Sequence, residues 1–558
     1  MSIFQKIAVP RVHFSNFTLN HEYKCGMEMG DVIPIMCVEG VPNDTWYLSN
    51  EALIRYAPMK FPVMHRINLK LYHFFVPYRL IWKYWQDFIS ESPDDQLPAA
   101  PYMTFKALFE NDSSDVVLEA FSVGSLADYL GLPVLNIQRG DYQDSSEPIA
   151  VAPFLAYQKI WNEYFRDENL QPDLFDDSLQ KQSQNLSDIV NSYGNIVGDN
   201  SYFYELFQLR KKAWEKDYFT SALPDPQLGE PVPVPVTGDV YMNQSYNVTL
   251  GSEHGATVRL VNGGVLPPNG GLTVENGKLS SEGAGVPGFE YIQGTLKPTD
   301  VTSKVGEVKN ASFSINDLRL ASSIQRFREL LARAGHRYKE TILSMFNQVT
   351  PDYRLDRPEF IGSTNIPVIV SDIPQTSQTD VTSAQGTLAG RATVQGSSGS
   401  FKYHCQEHGF IMTLACVIPR TSYQNGLSRM WTRLDRYDYY TPMFENLGEQ
   451  EIKNKEIFFS SNDAENDDTF GYAPRYSDYK YIPSSVHGDF LDSLDFMHLG
   501  RIFDKTPALN GDFITPDDET MRRPFAVTSD IVQHLYCEFY NKVRARRPMQ
   551  KNPIPKLV

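Results

Sequence analysis

Residues 63–76, VMHRINLKLYHFFV, alternate so cleanly that a β-strand is the natural way to fold them. Ile67, Leu69 and Leu71 point one way and Arg66, Asn68 and Lys70 the other, as in a strand with one buried face. Far downstream, Phe410 to Ile418 form the longest strongly apolar run. It is about half of what a membrane helix needs and reads as a buried strand. YSDYKYI at 476–482 reads as a further strand. Helices lie between these segments. From Pro153, PFLAYQKIWNEYFRDENL places Tyr157, Ile160, Trp161, Tyr164 and Phe165 on one face. The stretch 316–334 does the same with Leu318, Ala321, Phe327, Leu331 and Ala334, and Gly335 is positioned as its stop. Widely separated strands with helices in the connections do not match the regular alternation of a parallel α/β sheet. The pattern predicts an antiparallel β-core with long, helix-bearing loops.

A chain of 558 residues, 41% hydrophobic and 21% charged, can bury a large core. Its net charge of −17 argues against a surface covered with phosphate-binding groups, but leaves room for one basic face. Such a face has a candidate. After Glu538 come Lys542, Arg544, Arg546, Arg547, Lys551 and Lys556, with no acidic residue. Two readings stand side by side: a solvated, flexible tail, or a tail laid along single-stranded DNA. In the second, the cations neutralise phosphates, Tyr540 stacks on a base, and Pro548, Pro553 and Pro555 keep the chain extended.

Two segments differ in composition from the rest. Residues 229–310 are rich in Gly, Pro, Asn, Ser and Val, and Asn262-Gly263, Asn269-Gly270 and Asn276-Gly277 are turn dipeptides that favour short hairpins. Residues 362–400, rich in Ser, Thr, Gln and Gly, read as an extended surface segment. The organisation expected is 1–228 as the first part of the core, 229–310 as a surface insertion, and 311–558 as the remaining core with a basic tail. Cys25, Cys37, Cys405, Cys416 and Cys537 form no CxxC pair and read as free thiols in a reducing cytosol. MSIFQKIAVPRVHFSNF lacks the apolar stretch of a signal peptide, so synthesis and assembly in the cytoplasm are expected.

Signatures of catalysis fail on mechanism. GAGVPG at 283–288 matches a dinucleotide fingerprint by letters, but no strand precedes it and no helix follows. ENGKLS at 275–280 has Leu279 where a P-loop needs a hydroxyl. His404, Cys405, His408 and Cys416 are the best metal candidates, yet strand neighbours point to opposite faces, so His404 and Cys405 would not readily share an ion. NDAENDD at 462–468 lacks the glycine and final glutamate of a calcium loop and reads as a solvated loop. No catalytic residue, metal or cofactor is expected.

Longer strings carry more information. PVMHRINLKLYHFFVPYRLIWKYWQDFI (62–89), PFLAYQKIWNEYFRDENLQ, KDYFTSALPDPQ (216–227), QRFRELLARAGHRYKETI (325–342), DYRLDRPEFIGS (352–363), QTSQTDVTSAQGTLAG (375–390), EHGFIMTLACV, RMWTRLDRYDYYTPMFENLGEQEI (429–452) and FGYAPRYSDYKY (470–481) follow one another along the chain. In content and order they resemble the major capsid proteins of microviruses, the single-stranded DNA phages, and within them the gokushovirus branch. The resemblance implies an eight-stranded antiparallel jelly roll with long helical loops, assembled as identical subunits into a T=1 icosahedral shell. It implies a single-stranded DNA genome inside, a small basic packaging peptide, pilot or scaffold proteins, and a bacterial surface receptor, with no membrane insertion. It also makes 229–310 an outward threefold protrusion, with the turn residues Asn262, Asn269 and Asn276 as host-contact candidates. Two other classes stay open at this point. One is a jelly-roll carbohydrate-binding protein or glycosidase, whose two carboxyls sequence spacing does not reveal; the other is a minor spike protein of the same virion.

Overall fold

The computed structural model describes residues 13–552 except 83, 91–99, 107, 109–113, 135–144, 175–205, 230–236, 242–246, 249–271, 276–277, 282–306, 313–314, 336, 375, 377–387 and 528–531. Eight strands form its core: β1 (His21–Met27), β2 (Ile33–Gly40), β3 (Thr45–Tyr56), β4 (Ile67–Pro77), β5 (Glu359–Pro367), β6 (Leu388–Ser397), β7 (Gly409–Pro419) and β8 (Leu535–Arg547). They pair in two sheets of order β1-β8-β3-β6 and β2-β7-β4-β5, and every pair is antiparallel. Successive strands alternate between sheets except at β4 and β5, which are neighbours. This is the strand order of a jelly roll. Short strands Ser15–Thr18, Phe401–His404 and Ile369–Pro374 extend the first sheet.

The alternation read at 63–76 is realised in β4. Leu69 and Leu71 are fully buried, while Asn68 and Lys70 are only partly so. The inward residues of both sheets meet in the core: Trp46 and Leu48 of β3, Phe75 of β4, Ile411 of β7, and Val543 and Ala545 of β8 form one cluster. The opposite side of the second sheet is also covered. Helix Ala152–Tyr164, opened by Pro153, lies on β4 and β7. Tyr164 packs on Phe74 at 4.8 Å between ring centroids, and Phe165 meets Tyr72 edge-on at 5.2 Å. The Tyr157 hydroxyl donates to the Val32 carbonyl at 2.7 Å. Covered on both sides, β7 is buried along its whole length, as its unbroken apolar run predicts.

Contacts divide the chain into two units, residues 1–228 with 329–558, and residues 229–328. The second contains a sheet of Asn247–Val248, Leu272–Glu275 and Lys278–Ser281, and a pair of Thr237–Tyr241 with Glu307–Ser312. Glu275 pairs with Lys278, so two residues, Asn276 and Gly277, separate the paired strands. GAGVPG at 283–288 lies outside the described residues. Helix Ile315–Ala334 ends at Gly335, whose φ of +93° is the left-handed geometry that a side chain would resist.

Four readings need correction or extension. Residues 476–482 are not a strand: Tyr476 sits at φ 63° and Ser477–Lys480 form a helical turn, while the strand precedes it at Thr469–Pro474. The acidic run is a short helix, Asp463–Asp467, because the Asn462 side chain caps it and Asp463 and Glu465 occupy its first turn. The described part of the 362–400 region is extended and largely exposed, as read, but it is also part of the core, supplying most of β5 and all of β6. The basic segment 540–547 is not a tail. It is the second half of β8, held between β3 on one side and β1 with Ser15–Thr18 on the other.

Candidate functional site

In β8 the side chains alternate. Leu535, Cys537, Phe539, Asn541, Val543 and Ala545 point into the core, and Tyr536, Tyr540, Lys542, Arg544 and Arg546 point outward. The inward Asn541 is fully buried and satisfied: its amide donates to the Ile35 carbonyl at 3.0 Å, and its oxygen accepts from Asn50 at 2.6 Å. The cations of the strand therefore divide. Arg547, at the strand end, turns to the protein: it lies over the Trp46 ring, and its Nε donates to Asp44, whose side chain is wholly buried, at 2.9 Å. Lys542 is ion-paired with Glu51 across the strands and sits 5.7 Å from the Tyr540 ring centroid. The Tyr540 hydroxyl accepts from Asn20. Lys551 is exposed in a bend past the strand, and Lys556, Pro553 and Pro555 lie outside the described residues.

Strand register brings in residues that no local reading could associate. Arg544 stands opposite Tyr47 and Thr18, and Arg546 opposite Thr45 and Asn16. On the far side of β3, Lys402 pairs with Tyr47 and His404 with Thr45. The Lys402 ammonium lies 5.7 Å from the Tyr47 ring centroid, and the Arg546 guanidinium 4.6 Å from that of Phe14. Tyr47 is 41% exposed. Among the described residues, the outward positions of these registered pairs carry cations, hydroxyls, an amide and rings, and no carboxylate. The opposite end of the same face is charge-balanced: Glu22 pairs with Lys24, which also approaches Glu538, and Glu51 with Lys542. Lys24 holds the Glu22 carboxyl below its ordinary pKa, and Glu22 in turn raises that of Lys24. The sheet face thus has a neutralised end and a basic, aromatic end. Cations interleaved with rings suit a single-stranded nucleic acid, whose phosphates and base faces they match. Tyr47, Lys402, His404 and Phe14 were missed because their link to Arg544 and Arg546 exists only through pairing.

The other candidates separate. Cys405 and Cys416 are buried, Cys416 donating to the Gly30 carbonyl, while His404 approaches Thr45 and His408 packs against Trp85. Among the described residues no group of three or more His, Cys, Asp or Glu is arranged to hold a metal. No described helix is long and apolar enough to cross a membrane. Asn262, Asn269 and Asn276 lie outside the described residues. In the connection between β7 and β8, large apolar side chains stand in solvent: Leu434 is 92% exposed, Ile482 88%, Met443 84% and Trp431 70%.

Comparison with known proteins agrees in every part of the chain. The family model described as "Capsid protein (F protein)" matches residues 5–557. Capsid protein VP1 of Bdellovibrio phage phiMH2K is 32% identical, covering 98% of this chain and 96% of the relative. Capsid protein VP1 of Chlamydia phage 1 is also 32% identical, over 99% and 97%, and that of Spiroplasma virus 4 is 29% identical, over 100% and 97%. The glycosidase and lectin readings fall with this result: these relatives are structural proteins of the virion, and so is this chain. From the jelly-roll order of its eight strands and a family match over nearly its whole length, the chain belongs to the phage capsid protein (F protein) family.

Proposed function

We propose that copies of this chain close into a T=1 icosahedral shell around single-stranded DNA, with the basic end of the first sheet toward the genome. The observation that carries this reading is the acid-free arrangement of Arg544, Arg546 and Lys402 around Tyr47 on an otherwise acidic protein. Three cations neutralising three phosphates correspond to a log–log salt slope of about −2 for single-stranded DNA. Changing all three to Gln is expected to lower packaged DNA per particle and flatten that slope, while particles still form. Unchanged packaging with an unchanged slope would leave the genome to a separate small basic peptide.

Two further parts of the reading rest on other surfaces. The exposed Trp431, Leu434, Met443 and Ile482 become buried between copies, because shell contacts are large and more apolar than ordinary surface. Leu434→Asp is expected to stop assembly, seen by electron microscopy, while the subunit stays soluble. We infer that the insertion 229–310 contacts the bacterial receptor. Replacing 235–300 by a Gly-Ser linker should spare the core, since loop closure depends weakly on length, and should sharply reduce attachment to cells. Pilot or scaffold proteins assist closure.

A further inference from the structure

We propose that Cys25 and Cys537 form a reversible disulfide latch that ties β1 to β8 once the particle leaves a reducing cytosol. The two residues are direct cross-strand partners in the β1/β8 ladder. Partners placed so have Cα atoms about 4.5–5.5 Å apart, inside the span that a disulfide bridges. Both side chains point to the inward side of the ladder, and the neighbouring Cys25 thiol adds to the burial that raises the Cys537 pKa. The other three cysteines have no such partner. Cys37 pairs with Met412 and Cys416 with Lys70, and Cys405 follows the end of its short strand. Access is graded as the reaction needs: Cys25 is half-buried and Cys537 buried.

The reaction is thiol–disulfide exchange with a low-molecular-weight disulfide such as oxidised glutathione. The Cys25 thiol loses its proton and attacks one glutathione sulfur, giving a mixed disulfide and one glutathione thiolate. Cys537 then loses its proton and attacks Cys25 Sγ, expelling the second glutathione. Two cysteine thiols are oxidised to one disulfide, and one glutathione disulfide is reduced to two thiols. Burial raises the Cys537 thiol well above its ordinary pKa, which makes Cys25 the entry point and the resolving step the slow one.

The placement gives the bond a purpose. Among the described residues β1 pairs only with β8, and its outward residues Glu22 and Lys24 are exposed, so it is the core strand of this sheet most readily peeled away. The bond would join strands near the two ends of the chain, the case in which closing a loop constrains the unfolded chain most. A reducing cytosol keeps the thiols apart during folding and assembly, and an oxidising exterior closes them afterwards. This rests on the chain being a virion component and not on where the genome lies.

The reduced protein is treated with oxidised glutathione, alkylated with iodoacetamide, digested, and analysed by mass spectrometry. The expected product is a cross-link between the peptides containing Cys25 and Cys537, with a higher urea midpoint that falls back on adding dithiothreitol. Cys25→Ser, a near-isosteric change at a half-buried edge position, should lose both effects, and Cys37→Ser should keep both. Five alkylated cysteines after oxidation, or glutathione retained on Cys25, would overturn the proposal. A cross-link that leaves the midpoint unchanged would overturn its role as a latch. The cross-link and midpoint in the unaltered chain decide the matter even if Cys25→Ser folds poorly.

Discussion

The outward sides of β7 and β8 are equivalent positions in the two sheets, yet they have opposite characters. On β7 they are Met412, Leu414 and Cys416, beneath the helix Ala152–Tyr164 and its flanking chain. On β8 they are Lys542, Arg544 and Arg546, open to solvent. The inward sides are alike in being packed against one another. The jelly roll therefore asks for apolar residues only between its sheets, and what lies outside each sheet decides the rest. A helix laid on the second sheet makes it a wall with two dry faces, and the outward side of β8, open among the described residues, gives the subunit a face for a polar partner.

The largest effect follows directly. Leu414→Asp would bury a carboxylate without a partner under the helix, a loss of more than about 4 kcal/mol, and the expected result is insoluble or unfolded protein by circular dichroism. Arg544→Asp, on the same side of the other sheet, is expected to leave the unfolding midpoint nearly where it was. If both variants fold equally well, the contrast between the sheets is not the one described. Next comes Arg547→Gln, which strands the buried Asp44 carboxylate; removing one partner of a buried pair costs about 3 kcal/mol. A urea midpoint unchanged by this substitution would place Arg547 with the solvent-facing cations.

The same contrast explains what could be read in the sequence. β4, β7 and the helix at 152–164 were legible because each carries its own period: alternation, an unbroken apolar run, and a helical stripe. β8 also alternates, with Leu535, Cys537, Phe539, Val543 and Ala545 inward, but Asn541 interrupts the apolar series and the cations dominate the eye. From sequence alone it reads as a tail, because no local signal tells that Asn541 has buried partners in Asn50 and Ile35, both far away in the chain. The jelly-roll order came only through resemblance, since the pairing of β1 with β8 joins the two ends of the sequence. Arg544 and Arg546 could be named from sequence, whereas Tyr47 and Lys402 could not, because register is a property of the folded sheet. The reading of 476–482 failed for the opposite reason: alternating tyrosines imitate a strand, and the left-handed Tyr476 ends one.

Between the sheets, His73 tests how dry the shared interior is. It is fully buried, with Nδ1 2.9 Å from Thr413 Oγ1 and its ring 4.9 Å from that of Phe401. Burial pushes its imidazole down to about 4, so the folded state holds it neutral while the unfolded chain protonates near pH 6.5. The unfolded state then binds more protons below that pH. The stability this group contributes is complete above about pH 6.5 and is lost as pH falls toward 4, with about 2 kcal/mol gone at pH 5. Urea midpoints from pH 7 to 4.5 should drop less steeply in His73→Gln than in the unaltered protein. Parallel curves would mean that water reaches the imidazole and that the space between the sheets is not dry.

The smallest effect separates the two cation classes within β8 itself. Lys542 and Arg547 lie in the same strand and each has a carboxylate partner, but Lys542 and Glu51 are both nearly half exposed, at 44% and 46% of their side chains. Water screens that pair, and holding two long side chains together opposes the gain, so exposed pairs of this kind contribute about 0–1 kcal/mol. Lys542→Gln should therefore shift the urea midpoint barely at all, against the clear drop from Arg547→Gln. Glu51→Gln should be equally mild for stability, but it removes a negative charge from the neutralised end of the face. If that face receives DNA, Glu51→Gln extends the basic region toward Lys542 and should strengthen single-stranded DNA binding at low salt, the gain fading as salt rises. A gain that persists at high salt would point to a change in the sheet and not in its charge. Weaker binding in Glu51→Gln would mean that Lys542 needs its partner to stay in place, and the boundary between the two ends of the face would have to be redrawn.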